Sequence, residues 1–535
     1  MLAKLVAKIR SVWGKNRSPS GIAHPGGPDI FLSRGLAANL RQVRSILGDS
    51  PDIVVREFDI GVHPPVRAAL VFVDGLAGKP SVHEHIMKSL MLDASRTGTV
   101  EKQSPGLSMA DIKESLLTMA DVKEEPDLQK IIHGVLSGDT ALLVDGFPVA
   151  LVVVTRGWES RGISEPITEG AVRGPRDGFV ETLRTNTALL RRRIKSPDLR
   201  FETMPVGRAT RTDVTIAYIK DIVNEGVLAE VRRRLGRIDT DSVLESGYLE
   251  EFLRDHPYTP FPLIEYSERP DKIAAALLEG RVAILVDGTP FVLVVPAVFL
   301  QFFQASEDYY TLYHFGTLLR WGRFMGFLFT LYLPSLYIAV TTIHHELLPT
   351  SLALTIAGAR EGVPYPALVE ALLMELAFEA LREAGIRLPR PVGQAVSIVG
   401  ALIIGDAAVR AGLVSPAMVI VVAFTGIASF SVPSYKLIYS LRMLRFPMMT
   451  IAAVLGLPGI MMASVILLAH LVSLRSFGVP YLSPVAPFSR RDLKDILIRA
   501  PWWAMRTRPE SIGSSNQVRQ DPGQRPAVPG KDTPE

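Results

Sequence analysis

The chain has 535 residues, 48% of them hydrophobic and 21% charged, with a formal net charge of +4 and no cysteine. That length suits about three domains of roughly 150 residues each. The lack of cysteine excludes disulfides, thiolate metal sites and a cysteine nucleophile, and the small net charge argues against a nucleic-acid partner.

Charge is dense before residue 320 and thin from 321 to 475. The predicted fold class is therefore an α/β soluble region of two duplicated subdomains, followed by an all-α polytopic membrane domain. The start, MLAKLVAKIRSVWGKNR, is basic and weakly amphipathic. Without a long apolar core or a small-residue cleavage site, it does not read as a secretory signal. Residues 1–35 are read as a basic segment and linker, and the soluble region behind them as cytoplasmic.

The first α/β subdomain is expected over 36–160. It ends in LLVDGFPVALVV (142–153), which returns as ILVDGTPFVLVV (284–295) in the second subdomain, 196–305. Asp145-Gly146 and Asp287-Gly288 each sit between apolar runs, the pattern of a hairpin closed by a type I′ turn. The flanks are apolar almost throughout, as in strands buried on both faces. Each pair follows a helix-like segment, DLQKIIHGVLSGDTA or DKIAAALLEGRVA, and two strand-like runs lie further upstream in each case. Offsets of 146 and 142 residues between matching runs predict one duplicated unit. An Asp-Gly pair at mid-bilayer would cost several kcal/mol, so 284–303 is read as strands and not as a first span. Residues 161–195 are read as a linking helical segment, with RRRIK (191–195) on a solvated face.

The membrane domain is placed at 306–475. Spans of roughly 20 apolar residues are expected at about 321–342, 393–410, 416–434 and 447–473, the last broken near Gly456-Leu-Pro-Gly459. Residues 365–385 and 435–445 are read as membrane-associated helices. In the first of these, Glu375, Glu379 and Glu383 share one helical stripe. Such carboxylates either sit in interfacial water, with Glu379 paired to Arg382, or face a polar interior with a function. Asp406 lies inside an apolar span with Arg410 one turn on; the pair reads as an ion pair near a helix end or as the lining of a cation path. Residues 476–508 form a basic segment expected in the cytoplasm, and 509–535, polar and rich in proline and glycine, a disordered tail.

No P-loop or dinucleotide fingerprint occurs. His344-His345-Glu346 lacks the second histidine of a zinc helix, because Pro349 holds its place. No nucleophile is paired with a base, so the chain reads as a non-enzyme with no cofactor or metal.

Several long stretches resemble the A subunits of GerA-type spore germinant receptors, a family that includes SpoVAF-like paralogues. They include RGPRDGFVETLRTNTALLRRRIKSPDL, ERPDKIAAALLEGRVAILVDGTPFVLVVP, SEDYY, HHELLP, AREGVPYPALVEALLMELAFEALREAGIRLPRP, GQAVSIVGALIIGDAAVRAG and SFGVPYLSP. The resemblance implies a multi-pass protein of the spore inner membrane with a cytoplasmic N-terminal domain of two similar halves. It also implies a permease-like B subunit that binds the nutrient, a lipoprotein C subunit, membrane lipid around the helices, and a homo-oligomer acting as a nutrient-gated cation channel. The alternatives are a non-conducting scaffold or signal-transmitting subunit, and a SpoVAF-like paralogue that amplifies germination. Glu375, Glu379, Glu383, Asp406 and Arg410 are the candidate ion-path or coupling residues. Asp406 stands where the family pattern usually has Gln, which sets it apart from any shared pore residue.

Overall fold

The computed structural model describes residues 30–60, 65–93, 121–157, 173–388, 405–496 and 498–526, with isolated residues between them. The N-terminal segment 1–29 and most of the expected span 393–410 lie outside the described residues.

The first half contains α1 (Leu36–Leu47), β1 (Ile53–Ile60), β2 (Val66–Val73), β3 (Val122–Glu125), α2 (Leu128–Leu136), β4 (Thr140–Val144) and β5 (Ala150–Val153). The second contains α3 (Leu183–Arg193), β6 (Leu199–Val206), β7 (Thr212–Ile219), α4 (Glu225–Leu235), α5 (Ser246–Leu253), β8 (Glu265–Ser267), α6 (Pro270–Leu278), β9 (Val282–Val286) and β10 (Val292–Val295). The sheet orders are β1-β2-β4-β5-β3 and β6-β7-β9-β10-β8. Both sheets are antiparallel, with matching registers: Ile53 faces Val73 as Leu199 faces Ile219. Separate apolar clusters cover the two faces of each sheet, so β4 and β9 are buried at every residue. Two-sided burial is why these strands read as unbroken apolar runs instead of alternating ones.

No type I′ turn closes β4/β5 or β9/β10. Only the glycines take positive φ, +92° at Gly146 and +87° at Gly288. The connections run from Asp145 to Val149 and from Asp287 to Phe291, with Pro148 and Pro290 inside them. Proline cannot donate to the ladder, so pairing starts after it. The aspartates serve another purpose. Asp145 accepts the backbone N–H of Leu36 at 2.8 Å and Asp287 that of Leu183 at 3.0 Å. The Gly146 and Gly288 N–H groups donate to the carbonyls of Arg34 and Glu181, each at 2.8 Å. Each Asp-Gly pair thus clasps the first turn of a distant helix, whose initial N–H groups have no partner inside the helix.

The helix expected to link the halves is instead the first helix of the second half. Leu189, Leu190 and Ile194 pack into its core. Arg191, read as solvated, is fully buried and forks onto Asp52 of the first half at 2.9 and 3.1 Å.

Between residues 313 and 473 the described α-helices are α7 (Tyr313–Thr342), α8 (Thr350–Arg360), α9 (Ala367–Arg387), α10 (Pro416–Phe430) and α11 (Tyr435–Ser473). Among the described residues, α7 and α11 are long and apolar enough to cross a membrane. The segments 435–445 and 447–473 are not separate, because α11 runs through Pro447. Its break is at Gly456, with φ +64° and ψ −146°. There the chain doubles back. Ser440 donates to the Pro260 carbonyl at 2.6 Å, while His470 lies 2.9 Å from the Thr259 hydroxyl. A straight helix would hold residues 440 and 470 about 45 Å apart. Gly456 abuts the end of α7, and a Cβ there would sit 2.3 Å from His344 Cε1. The positive φ strains any other residue there, and a side chain would also have to displace the His344 ring.

The tail expected to be disordered from residue 509 is ordered over 509–526, and 527–535 lie outside the described residues. Residues 510–512 form a 3-10 turn with Ile512 buried. Asn224 donates to the Ile512 carbonyl at 2.6 Å, and Arg519 pairs with Glu279 at 3.1 Å. Composition overlooks a segment held by a few specific polar bonds to a preformed surface.

Candidate functional site: the junction and the paired helices

The second half meets the helices at residues 304–310. Asp308 has no exposed surface. It accepts Arg320 Nε at 3.0 Å and Arg323 Nη1 at 2.7 Å, from the first turns of α7. Two arginines three residues apart lie on the same helix face, which lets one carboxylate meet both. Arg320 also reaches Asp495 of the C-terminal segment at 2.8 Å, and the Tyr309 hydroxyl donates to Asp495 at 2.9 Å. The Tyr310 hydroxyl donates to Asp271 on α6, which Arg269 holds in a fork. Burial and the Asp495 charge push the Tyr309 phenol well above its usual range. Burial pushes Asp271 upward, but the bonds from Arg269 and Tyr310 outweigh it, so its carboxyl lies below the usual range. The short SEDYY run therefore joins three regions: the second half, α7 and the C-terminal segment.

The paired helices lie further along. Glu375 is buried and ion-paired with Arg445. Glu379 pairs with Arg442 at 2.6 Å. These arginines belong to the basic run 435–445, so two acids of the stripe and two arginines of that run neutralise each other across the α9–α11 contact. Arg382, expected beside Glu379, stacks on Phe430 instead, at 5.0 Å. Glu383 is exposed and pairs with Arg387 at 2.6 Å. Asp406 and Arg410 form an exposed i,i+4 pair at 2.8 Å. Glu370, not among the candidates, is fully buried, bonded to Arg360 at 3.1 Å and to the Ser415 hydroxyl at 2.8 Å. The candidates thus form no single cluster: Glu375 and Glu379 join α9 to α11, whereas Glu383, Asp406 and Arg410 stand apart. Asp145, Gly146, Asp287 and Gly288 are the helix clasps described above. No group of three or more metal-ligating side chains occurs among the described residues.

Sequence reasoning missed Asp308, Arg320, Arg323 and Asp495. The spacing of Arg320 and Arg323 was visible on α7, but nothing local pointed to Asp495.

The sequence profile described as Bacillus/Clostridium GerA spore germination protein matches residues 41–511. Spore germination protein KA of Bacillus subtilis is 47% identical over 497 residues, covering 93% of this chain and 90% of that protein. Spore germination protein GerLA of Bacillus cereus is 40% identical, covering 92% and 98%. Stage V sporulation protein AF of Bacillus subtilis is 34% identical, covering 89% and 94%. A crystal structure of the N-terminal domain of the A subunit of the Bacillus megaterium germinant receptor GerK3 aligns with a TM-score of 0.41 and 38% identity, over 51% of this chain and 99% of that one. By the profile match and by these identities across nearly the full length, the chain belongs to the GerA family of spore germination proteins.

Proposed function

We propose that the chain is the A subunit of a spore germinant receptor and that its helices traverse the spore inner membrane several times. In this reading the α/β halves and both chain ends lie on the cytoplasmic side. The fold-back at Gly456 carries this reading. It turns α11 into two crossings, and α9 makes a third, so the basic run 435–445 and the C-terminal segment share one side. That satisfies the preference of basic segments for the cytoplasm, which four spans with 365–385 outside the bilayer did not. The paired acids of α9 suit a crossing helix, since an ion pair tolerates low dielectric better than a lone charge.

Copies of the chain surround a cation path in this reading, next to a permease-like B subunit and a lipoprotein C subunit. One face of α10 supports lateral packing: Ile420, Phe424, Ile427 and Phe430 are 48–70% exposed. Glu375 and Glu379 act as coupling residues, tying α9 to α11. Glu383, Asp406 and Arg410 remain accessible to a path between copies. The two α/β halves are copies of one ancestral unit, supported by their common strand order and by the clasps at equivalent places. Identity of 47% to protein KA against 34% to protein AF favours a receptor subunit over the amplifying paralogue.

Reconstitution tests conduction. Liposomes holding the purified chain alone should pass monovalent cations. Flux that appears only when a permease-like partner is added would place the path in the partner and leave this chain a scaffold.

A further inference from the structure

A cavity of about 540 Å³ lies beside the junction, between α6, residues 301–310 and the C-terminal segment. It exists because α6 presents alanines there, including Ala274 and Ala275, while Trp502 and the tyrosines of SEDYY stand as walls. Most of the lining is apolar, yet charge does not balance at one end. Glu279 serves two guanidiniums, Arg519 at 3.1 Å and Arg281 at 3.6 Å. Arg508 donates only to neutral oxygens, among them the Leu278 carbonyl at 2.7 Å and the Asn516 carbonyl at 3.1 Å. Three guanidiniums therefore gather around one carboxylate. The other nearby acids are engaged: Asp271 by Arg269, Asp495 by Arg320, Glu265 by Lys272, and Asp492 by the backbone N–H groups of Glu510 and Ser511. Arg281 is nearly buried, and its Nε has no hydrogen-bond partner. Surplus positive charge at the end of an apolar cavity is costly when empty and favourable once an anion enters. Burial first, and then the Arg519 charge, hold Arg508 below its usual range and Lys494 down at about 8.

We propose that this cavity binds a small amphipathic anion, its carboxylate or phosphate on Arg508 and Arg519 and its apolar body against Ala275, Leu278 and Trp502. A guanidinium fork matches both head groups. The site is separate from any nutrient site on a partner subunit. It is walled by the three regions that the junction joins, so an occupant would brace them together.

The test uses the full chain in phosphatidylcholine nanodiscs, with phenyl phosphate as probe and tryptophan emission as readout. Binding is measured without ion flux, so its failure is distinguishable from failure of the channel reading. A saturable change is expected, absent in Trp502→Phe, weakened at least tenfold in Arg508→Gln and abolished in Ala275→Phe. Ala275 is exposed, so filling the cavity there leaves the fold intact. A second arm replaces part of the lipid with dioleoylphosphatidylglycerol and omits the probe. A change confined to that arm, and lost in the Arg508 and Ala275 variants, upholds the site with a lipid head group as its occupant. No saturable change in either arm, or a change that survives Ala275→Phe unaltered, overturns the proposal.

Discussion

The two α/β halves share strand order, register and the Asp-Gly clasp, but they are used differently. The second half carries the contacts to the helices: Asp271 to Tyr310, Pro260 to Ser440, Thr259 to His470 and Glu250 to Lys436. The first half is joined to the second by the buried Asp52–Arg191 pair, beside which Arg184 pairs with Asp74 at 3.2 Å, Arg200 donates to the Ile46 carbonyl at 2.9 Å and the Phe201 N–H donates to the Ser50 hydroxyl at 3.2 Å. One fold thus serves once as a platform for the helices and once as an appended unit held by a charged clamp. A ligand or partner on the first half would act on the helices by way of the second half.

Breaking the junction should have the largest effect. Asp308→Ala leaves the half-buried Arg323 without its carboxylate and the buried Arg320 with Asp495 alone, and removal of one partner from a buried pair costs about 3–5 kcal/mol. The purified chain should show a markedly lower thermal midpoint, and a shift of a degree or less would mean Asp308 is not the centre of the junction. A similar loss is expected for Glu375→Leu, which strands Arg445 between α9 and α11. Adding Arg445→Met should recover most of it, because an apolar pair of similar volume replaces a buried ion pair at little cost. A double variant no better than the single would contradict the pairing.

The clasps give a sharper comparison at smaller energy. Asp145→Ala and Asp287→Ala each remove one helix-capping acceptor, worth about 1 kcal/mol. Equal losses would mark the halves as equivalent there. A loss at only one would show that the shared geometry conceals unequal roles.

The C-terminal segment adds a dependence on pH. The Lys494 amine is held at about 8, mainly by burial, below the ordinary lysine value of about 10.5. Between those values the unfolded chain binds more protons than the folded one, so stability should rise as pH increases from about 8 to about 10.5. Lys494→Met should lose that rise, seen as the difference in thermal midpoint between pH 7.5 and pH 10. An identical pH profile in both proteins would contradict the assignment.

What the sequence disclosed follows a physical division. Strands, helices and the break at Gly456 are local patterns of period, proline and glycine, and they were legible. The partners of charged groups were not. Asp145 caps a helix 109 positions upstream, and Glu379 and Glu375 meet arginines 63 and 70 positions on. Seen alone, the acidic stripe of α9 suggested an attraction for cations, and the basic run at 435–445 looked misplaced. In the fold, Glu375 and Glu379 of the first pair with Arg445 and Arg442 of the second. The tail misled for a related reason. Its composition offers little apolar area, but Ile512 and a few polar bonds suffice against a surface that is already folded.

The crossing pattern of the helices is the central claim, and the lack of native cysteine makes it directly measurable. Single cysteines at His345, Arg410 and Leu455 should react with an impermeant maleimide from one face of sealed membrane vesicles. Cysteines at Glu251 and Arg475 should react only from the other face. If Leu455 and Arg475 label from the same side, α11 does not cross and return, and the multi-pass account is wrong.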